Sequence, residues 1–258
     1  MTEVFTYFPA FLLVLVRVTS FFVTMPLFSY RTLPASHRVG IAFFIAWIMF
    51  LSMSKPILEI DGYFIMLILK EAMVGLLIGL VAYMIFTAIQ IAGGFIDFQM
   101  GFAIANVVDP QTGAQSPLIG QYLYTFALLF LLAINGHHLL LDGIFYSYEF
   151  IPMEQASLPL GNENVIEFVL RAFGTMFIIA FQMSMPVVGA LFLVDIALGI
   201  VARTVPQLNV FVVGLPLKIG VSFIVLFIAL SMMFMLVGEL VDNMLYTMRG
   251  LMELLGGS

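Results

Sequence analysis

Cysteine is absent from the 258 residues, which excludes disulfides and leaves the redox compartment unmarked. Charge is nearly as scarce, at 9% of residues against 63% hydrophobic, with a mean hydropathy of +1.15. No water-soluble globular domain presents that balance without aggregating, so the chain reads as an integral membrane protein. Lys/Arg-rich runs are missing and the net charge is -6, so nothing points to nucleic acid. The ten-residue alternation of an outer-membrane barrel is also missing. The opening Thr2-Glu3 supplies no basic leader region and no convincing cleavage site follows, so the N-terminus is expected to be a retained helix. No nucleophile elbow, phosphate loop or catalytically spaced carboxylate pair occurs, which argues against an enzyme, and no cofactor is expected. No fixed-period repeat or low-complexity linker divides the chain, so residues 1–258 read as a single membrane domain.

What is present is a series of apolar runs, at about 4–27, 39–54, 63–96, 118–134, 165–201 and 208–241. A bilayer crossing needs about 20 residues, and the lengths do not fit. The second and fourth runs are short, whereas 63–96 as one helix reaches roughly 50 Å. Pro186 and Gly189 interrupt the fifth run, and Pro206, Gly214 and Pro216 the start of the sixth, so bent or re-entrant hairpins are expected there. Basic residues are spread too evenly to fix an orientation. The fold class expected is all-α, with about six long, kinked segments arranged as helical hairpins. In 150–164, Asn162 or Asn164 is placed to cap the following helix.

The stretch "GGFIDFQMGFAIANVVDPQTGAQSPLIG" (93–120) is unusual in so apolar a chain. On a helix, Gln90, Gly94, Asp97, Gly101 and Ala105 share a small and polar stripe, beside a bulky one of Ile91, Phe95, Phe98 and Phe102. That stripe suits either a closely packed helix pair with Asp97 satisfied locally or a wet path. The helix is expected to end near Val108, ahead of Asp109-Pro110 and the loop-forming residues to Pro117. The loop reads either as an ordinary turn or as a neutral, movable stopper. Asn135-Gly136-His137-His138 with Asp142 is the one cluster resembling a metal site, but adjacent histidines diverge by about 100° on a helix, and a helix terminus is the favoured reading. Arg17, Lys70, Glu71, Asp195, Lys218 and Glu239 lie within the apolar runs and suit either a proton relay or structural pairing. Gly75 and Gly79 form a G-x-x-x-G, a weak sign of close helix packing.

Several stretches together resemble the FliR family of flagellar biosynthetic and type III secretion export-gate subunits. They are Leu-Val-Arg17-Val, "PLFSYRTLPASHRVG" (26–40), "GGFIDFQMGFAIANVVDP" (93–110), "NGHH" (135–138) and "ARTVPQLNVFVVGLPLKI" (202–219), spread over nearly the whole chain. The resemblance implies a subunit that joins FliP-like and FliQ-like chains, works with FlhB-like and FlhA-like export components, and passes unfolded protein substrates across the bacterial inner membrane at the flagellum basal body. It implies a pore plug formed by Ile104, Ala105, Asn106, Val107, Val108, Asp109, Pro110, Gln111, Thr112, Gly113, Ala114, Gln115, Ser116, Pro117 and Leu118, with Gln99, Met100 and Gly101 at its root. Arg17, Gly94, Asp97, Asp195, Pro206, Gln207 and Asn209 are expected in intersubunit or internal packing, and Arg17, Asp97 and Asp195 are expected to lack partners in the isolated chain. The alternative is a self-contained proton-coupled membrane transporter, against which the lack of an inverted repeat counts.

Overall fold

The computed structural model describes residues 2–28, 34–54, 56–102, 117–207 and 209–257. Among them are seven helices and no strand: α1 (Thr2–Thr24), α2 (Ala35–Ser52), α3 (Gly62–Met100), α4 (Leu118–Ala133), α5 (Gly136–Phe150), α6 (Glu163–Thr204) and α7 (Val210–Gly256). Five are long and apolar enough to cross a membrane, or six spans result if α4 and α5 form one bent span. The protein is thus an all-α, multi-pass membrane protein. Six helices follow the apolar runs. The seventh, α5, is not an apolar run because His137, His138, Asp142, Ser147 and Glu149 punctuate it.

The starts of these helices follow local polar chemistry. Asp61 Oδ1 accepts the Phe64 N–H at 2.9 Å ahead of α3, and Asn162 Oδ1 accepts the Asn164 N–H at 3.1 Å at the head of α6, as the sequence suggested. Asn209 Oδ1 accepts the N–H groups of Phe211 and Val212 at 3.2 and 3.4 Å, so it caps α7. Each side chain satisfies an N–H that the first helical turn leaves without an intrahelical acceptor.

The chain divides into two compact units. The first comprises α1, α2, α3 through Phe86, α5, α6 through Phe173 and α7 from Val241. Its core is α1, where Ala10, Val14, Val18 and Phe21 fall at helical spacing and are fully buried, with Met25 just past its end also buried. The G-x-x-x-G of α3 faces this helix: a Cβ on Gly75 would lie 2.3 Å from the Arg17 carbonyl oxygen, and one on Gly79 2.1 Å from Thr24 Oγ1. Only hydrogen fits at either position, so the two backbones approach closely. Phe11 packs edge-on against Phe43, Trp47 and Phe50, which fastens α2 to α1.

The second unit comprises α3 from Thr87, α4, α6 from Gly174 and α7 through Leu240. Here α3 and α4 meet backbone to backbone, since a Cβ on Gly93 would lie 2.1 Å from Gly120 Cα. Asp195 pairs with Lys218, and Leu198 packs on Gly214, so α6 and α7 form an antiparallel hairpin in this unit. The breaks expected at Pro186 and Pro216 are not where the hairpin turns. Both prolines lie inside α6 and α7, and between these helices the described residues 205–207 and 209 are not helical. Long apolar helices retain most of their hydrogen bonds around one proline, because its fixed φ is itself helical and a single N–H is lost.

Candidate functional site

The root of the 93–120 stretch is built in the second unit. The helix expected to reach Val108 ends instead at Met100. Gly101 takes a φ of +90°, its N–H donates to the Phe98 carbonyl at 3.2 Å, and the Phe102 N–H donates back to the Asp97 carbonyl at 3.0 Å. This paired closure is the Schellman arrangement, which needs a left-handed residue just past the helix and so selects glycine. Gln99, Met100 and Gly101, the expected root, are therefore the last helical turn and its stop. Ala105 lies outside the described residues.

Asp97 ties the two ends of the stretch together. The first residue before α4 is Pro117, which offers no side-chain cap. Asp97 Oδ2 replaces it, accepting the N–H of Ile119 at 3.0 Å and of Gly120 at 3.5 Å. A carboxylate at a helix N-terminus meets both the unpaired N–H groups and the positive end of the helix dipole. The side chain is 3% exposed, and Gly94 lies against the Pro117 ring. Of the two readings of the small stripe, the structure shows the packed pair, with Phe95 and Phe98 outward on the bulky side.

Beside this root the Gln99 side-chain amide donates to Asp195 Oδ2 at 2.9 Å, and the other Asp195 oxygen pairs with Lys218. The three side chains join α3, α6 and α7. A cavity of about 340 Å³ adjoins them, lined by Met100, Gly101, Asp195, Gly199, Gly214 and Lys218. Of the expected plug, residues 104–116 lie outside the described residues, while Pro117 and Leu118 stand at the start of α4. Pro206 and Gln207 are exposed in the turn before α7.

A second polar cluster lies inside the first unit. Arg17 forks onto Glu71 through Nε and Nη2, its Nη1 donates to Ser147 Oγ at 2.9 Å, and Nη2 also donates to the Ile151 carbonyl at 2.9 Å. The guanidinium carbon sits 3.6 Å from the centre of the Tyr148 ring. Lys70 pairs with Glu71 and donates to the carbonyls of Pro152 and Met153, and the Tyr148 hydroxyl donates to Glu71 Oε2 at 3.4 Å. Arg17 and Glu71 are fully buried. The cluster ties α1, α3, α5 and the segment after α5 into one unit. Each of the three guanidinium nitrogens donates to an acceptor, the condition for a buried charge to be tolerated.

These geometries correct the expectation that Arg17, Asp97 and Asp195 lack partners in the isolated chain, since each is satisfied within it. Sequence reasoning missed Ser147, Tyr148 and the 151–153 carbonyls. Ser147 and Tyr148 lie on α5, whose polar residues conceal it among apolar runs. Asn135 takes the left-handed φ of 58° and begins α5, so "NGHH" is a helix terminus. Among the described residues no group of three His, Asp or Glu is placed to hold a metal ion.

The sequence profile described as "Bacterial export proteins, family 1" matches residues 8–244. The chain is 60% identical over 259 residues to the flagellar biosynthetic protein FliR of Bacillus subtilis (strain 168), covering 100% of both chains. It is 28% identical to flagellar biosynthetic protein FliR of Escherichia coli (strain K12), over 81% of this chain and 79% of that one. It is also 32% identical to Yop proteins translocation protein T of Yersinia pestis, over 84% of each.

Proposed function

Because this chain belongs to the family of bacterial export proteins, family 1, we propose that it works as one functional domain, residues 1–258, of the flagellar protein export gate in the inner membrane. A multi-pass membrane subunit of a flagellar or type III export apparatus is what the family and the apolar helices support. In that gate it lines, with FliP-like and FliQ-like subunits, the channel through which unfolded flagellar proteins pass, beside FlhB-like and FlhA-like components. Residues 104–118 plug that channel at rest and move aside when substrate is engaged.

The observation that supports the plug is the construction of its root. Gly101 stops α3, and Asp97 fastens the start of α4 to the last turns of α3. The two described helix ends that flank the segment are thus held closely packed against one another. The proposed plug needs flanking helices that stay in place when it moves, and this base supplies them. The plug's one charge beyond the root is Asp109, so it obstructs ions without supplying them a path.

The test is deletion of residues 109–115 in cells that also express the FliP-like and FliQ-like chains. An intact complex with a raised ion conductance, absent from the undeleted protein, is the expected result. Unchanged conductance in an assembled complex refutes the plug and assigns gating to other subunits.

A further inference from the structure

The first unit carries a groove that neither the loop root nor the buried cluster uses. It lies between α5 and the last turns of α7, which run parallel: a Cβ on Gly143 would lie 3.1 Å from Met248 Cε, and a Cβ on Gly256 2.3 Å from the Phe150 carbonyl oxygen. The approach at Gly256 is close enough to fix the two walls relative to one another. The groove encloses about 520 Å³, within the range of pre-formed binding clefts. Met248 and Met252 form its floor and are 1% and 3% exposed. Methionine floors are soft and adapt to differently shaped apolar side chains.

The rim has one sign of charge to spare. Asp142, Tyr146 and Glu149 stand exposed along the lining face of α5 at helical spacing, and among the described residues neither carboxylate makes an ion pair. The one cation on the lining, Arg249, is held by Glu253 at 3.0 Å. An apolar trough edged by two uncompensated carboxylates, with a half-exposed phenol ring between them, favours cationic side chains. Anionic lipid headgroups are repelled by the same rim. Asp142 and Glu149 are about 10.5 Å apart along the helix, the separation of side chains two turns apart on a helix lying alongside.

We propose that this groove docks an amphipathic helix of another protein, one that sets Leu or Met side chains on Met248 and Met252 and two Lys or Arg side chains, two turns apart, against Asp142 and Glu149. The mode is the helix-in-groove recognition in which apolar anchors give affinity and rim charges give register. It is independent of the plug, and neither reading needs the other.

The test uses the assembled gate complex purified in detergent and two labelled synthetic helices. Both carry Leu and Met anchors, one with Lys at positions i and i+7 and the other with Glu there, and binding is read by fluorescence anisotropy. The Lys helix is expected to bind the unmodified complex, to weaken as salt is raised, and to lose roughly tenfold or more in affinity on Asp142→Lys with Glu149→Lys. The Glu helix is expected to regain binding on that double variant. Should the double variant not assemble, Asp142→Asn with Glu149→Gln keeps the shape and still removes the preference. Equal binding of both helices, indifference to the substitutions, or binding of neither overturns the proposal.

Discussion

Glu71 is the single carboxylate between Arg17 and Lys70, and all three are buried. Removing it leaves two cations without a counter-charge, and breaking a buried pair from one side costs about 3–5 kcal/mol. Glu71→Ala is therefore expected to lower the thermal stability of the purified complex sharply. Lys70→Met keeps the Arg17–Glu71 fork and removes the surplus cation, so it is expected to cost clearly less. Equal losses in a thermal melt would show that the carboxylate does not hold the cluster. Asp97 works by a different route, as a borrowed cap for α4. Asp97→Ala is expected to destabilise the start of that helix by about 1 kcal/mol, with Asp97→Asn, which keeps an oxygen acceptor, closer to the parent. Limited proteolysis near 117–120 reads the difference, and identical digestion of all three proteins would remove the cap from the account.

At the scale of elements, glycine decides which helices touch. Gly75 and Gly79 bring α3 against α1, Gly93 and Gly120 bring α3 against α4, and Gly256 brings α7 against α5. A methyl group at Gly75 would meet backbone oxygen at 2.3 Å, and backbone cannot rotate away as a flexible side chain can. Gly75→Ala is expected to force the pair apart at about 1–3 kcal/mol. Gly40 in α2 faces open space, so Gly40→Ala is expected to be neutral or stabilising through helix propensity. A melt in which Gly75→Ala matches the parent would mean that α1 and α3 are not held at this distance.

For the whole molecule, the helices α3, α6 and α7 are much longer than a bilayer is thick. At 1.5 Å per residue, α7 extends roughly 70 Å against a hydrocarbon core of about 30 Å. Only 11% of the apolar window of α6 and 17% of that of α7 are buried inside the chain. Such faces need lipid or other protein along their length. Because Arg17, Lys70, Glu71, Asp97, Asp195 and Lys218 find partners within the chain, it is the apolar faces that make the isolated protein vulnerable. Produced alone, it is expected to aggregate on detergent extraction, and co-production with FliP-like and FliQ-like chains is expected to return it as a single species in size-exclusion chromatography. A monodisperse, stable protein obtained without partners would count against a shared assembly.

The sequence alone determined the solvent and the class of element, because 63% apolar composition admits few other environments and the longest runs exceed the helices of an ordinary soluble core. It also carried the family, spread over motifs from Arg17 to Lys218, and the cap at Asn162. The tertiary structure decided where α3 stops, since glycine at 101 permits a left-handed turn without requiring one. It decided which charges meet, because Arg17 and Glu71 are 54 residues apart and periodicity along one helix does not specify the rotation of another. It also revealed α5 as the element that completes the buried cluster, since a helix that hides its polar face inside protein leaves no apolar run to read.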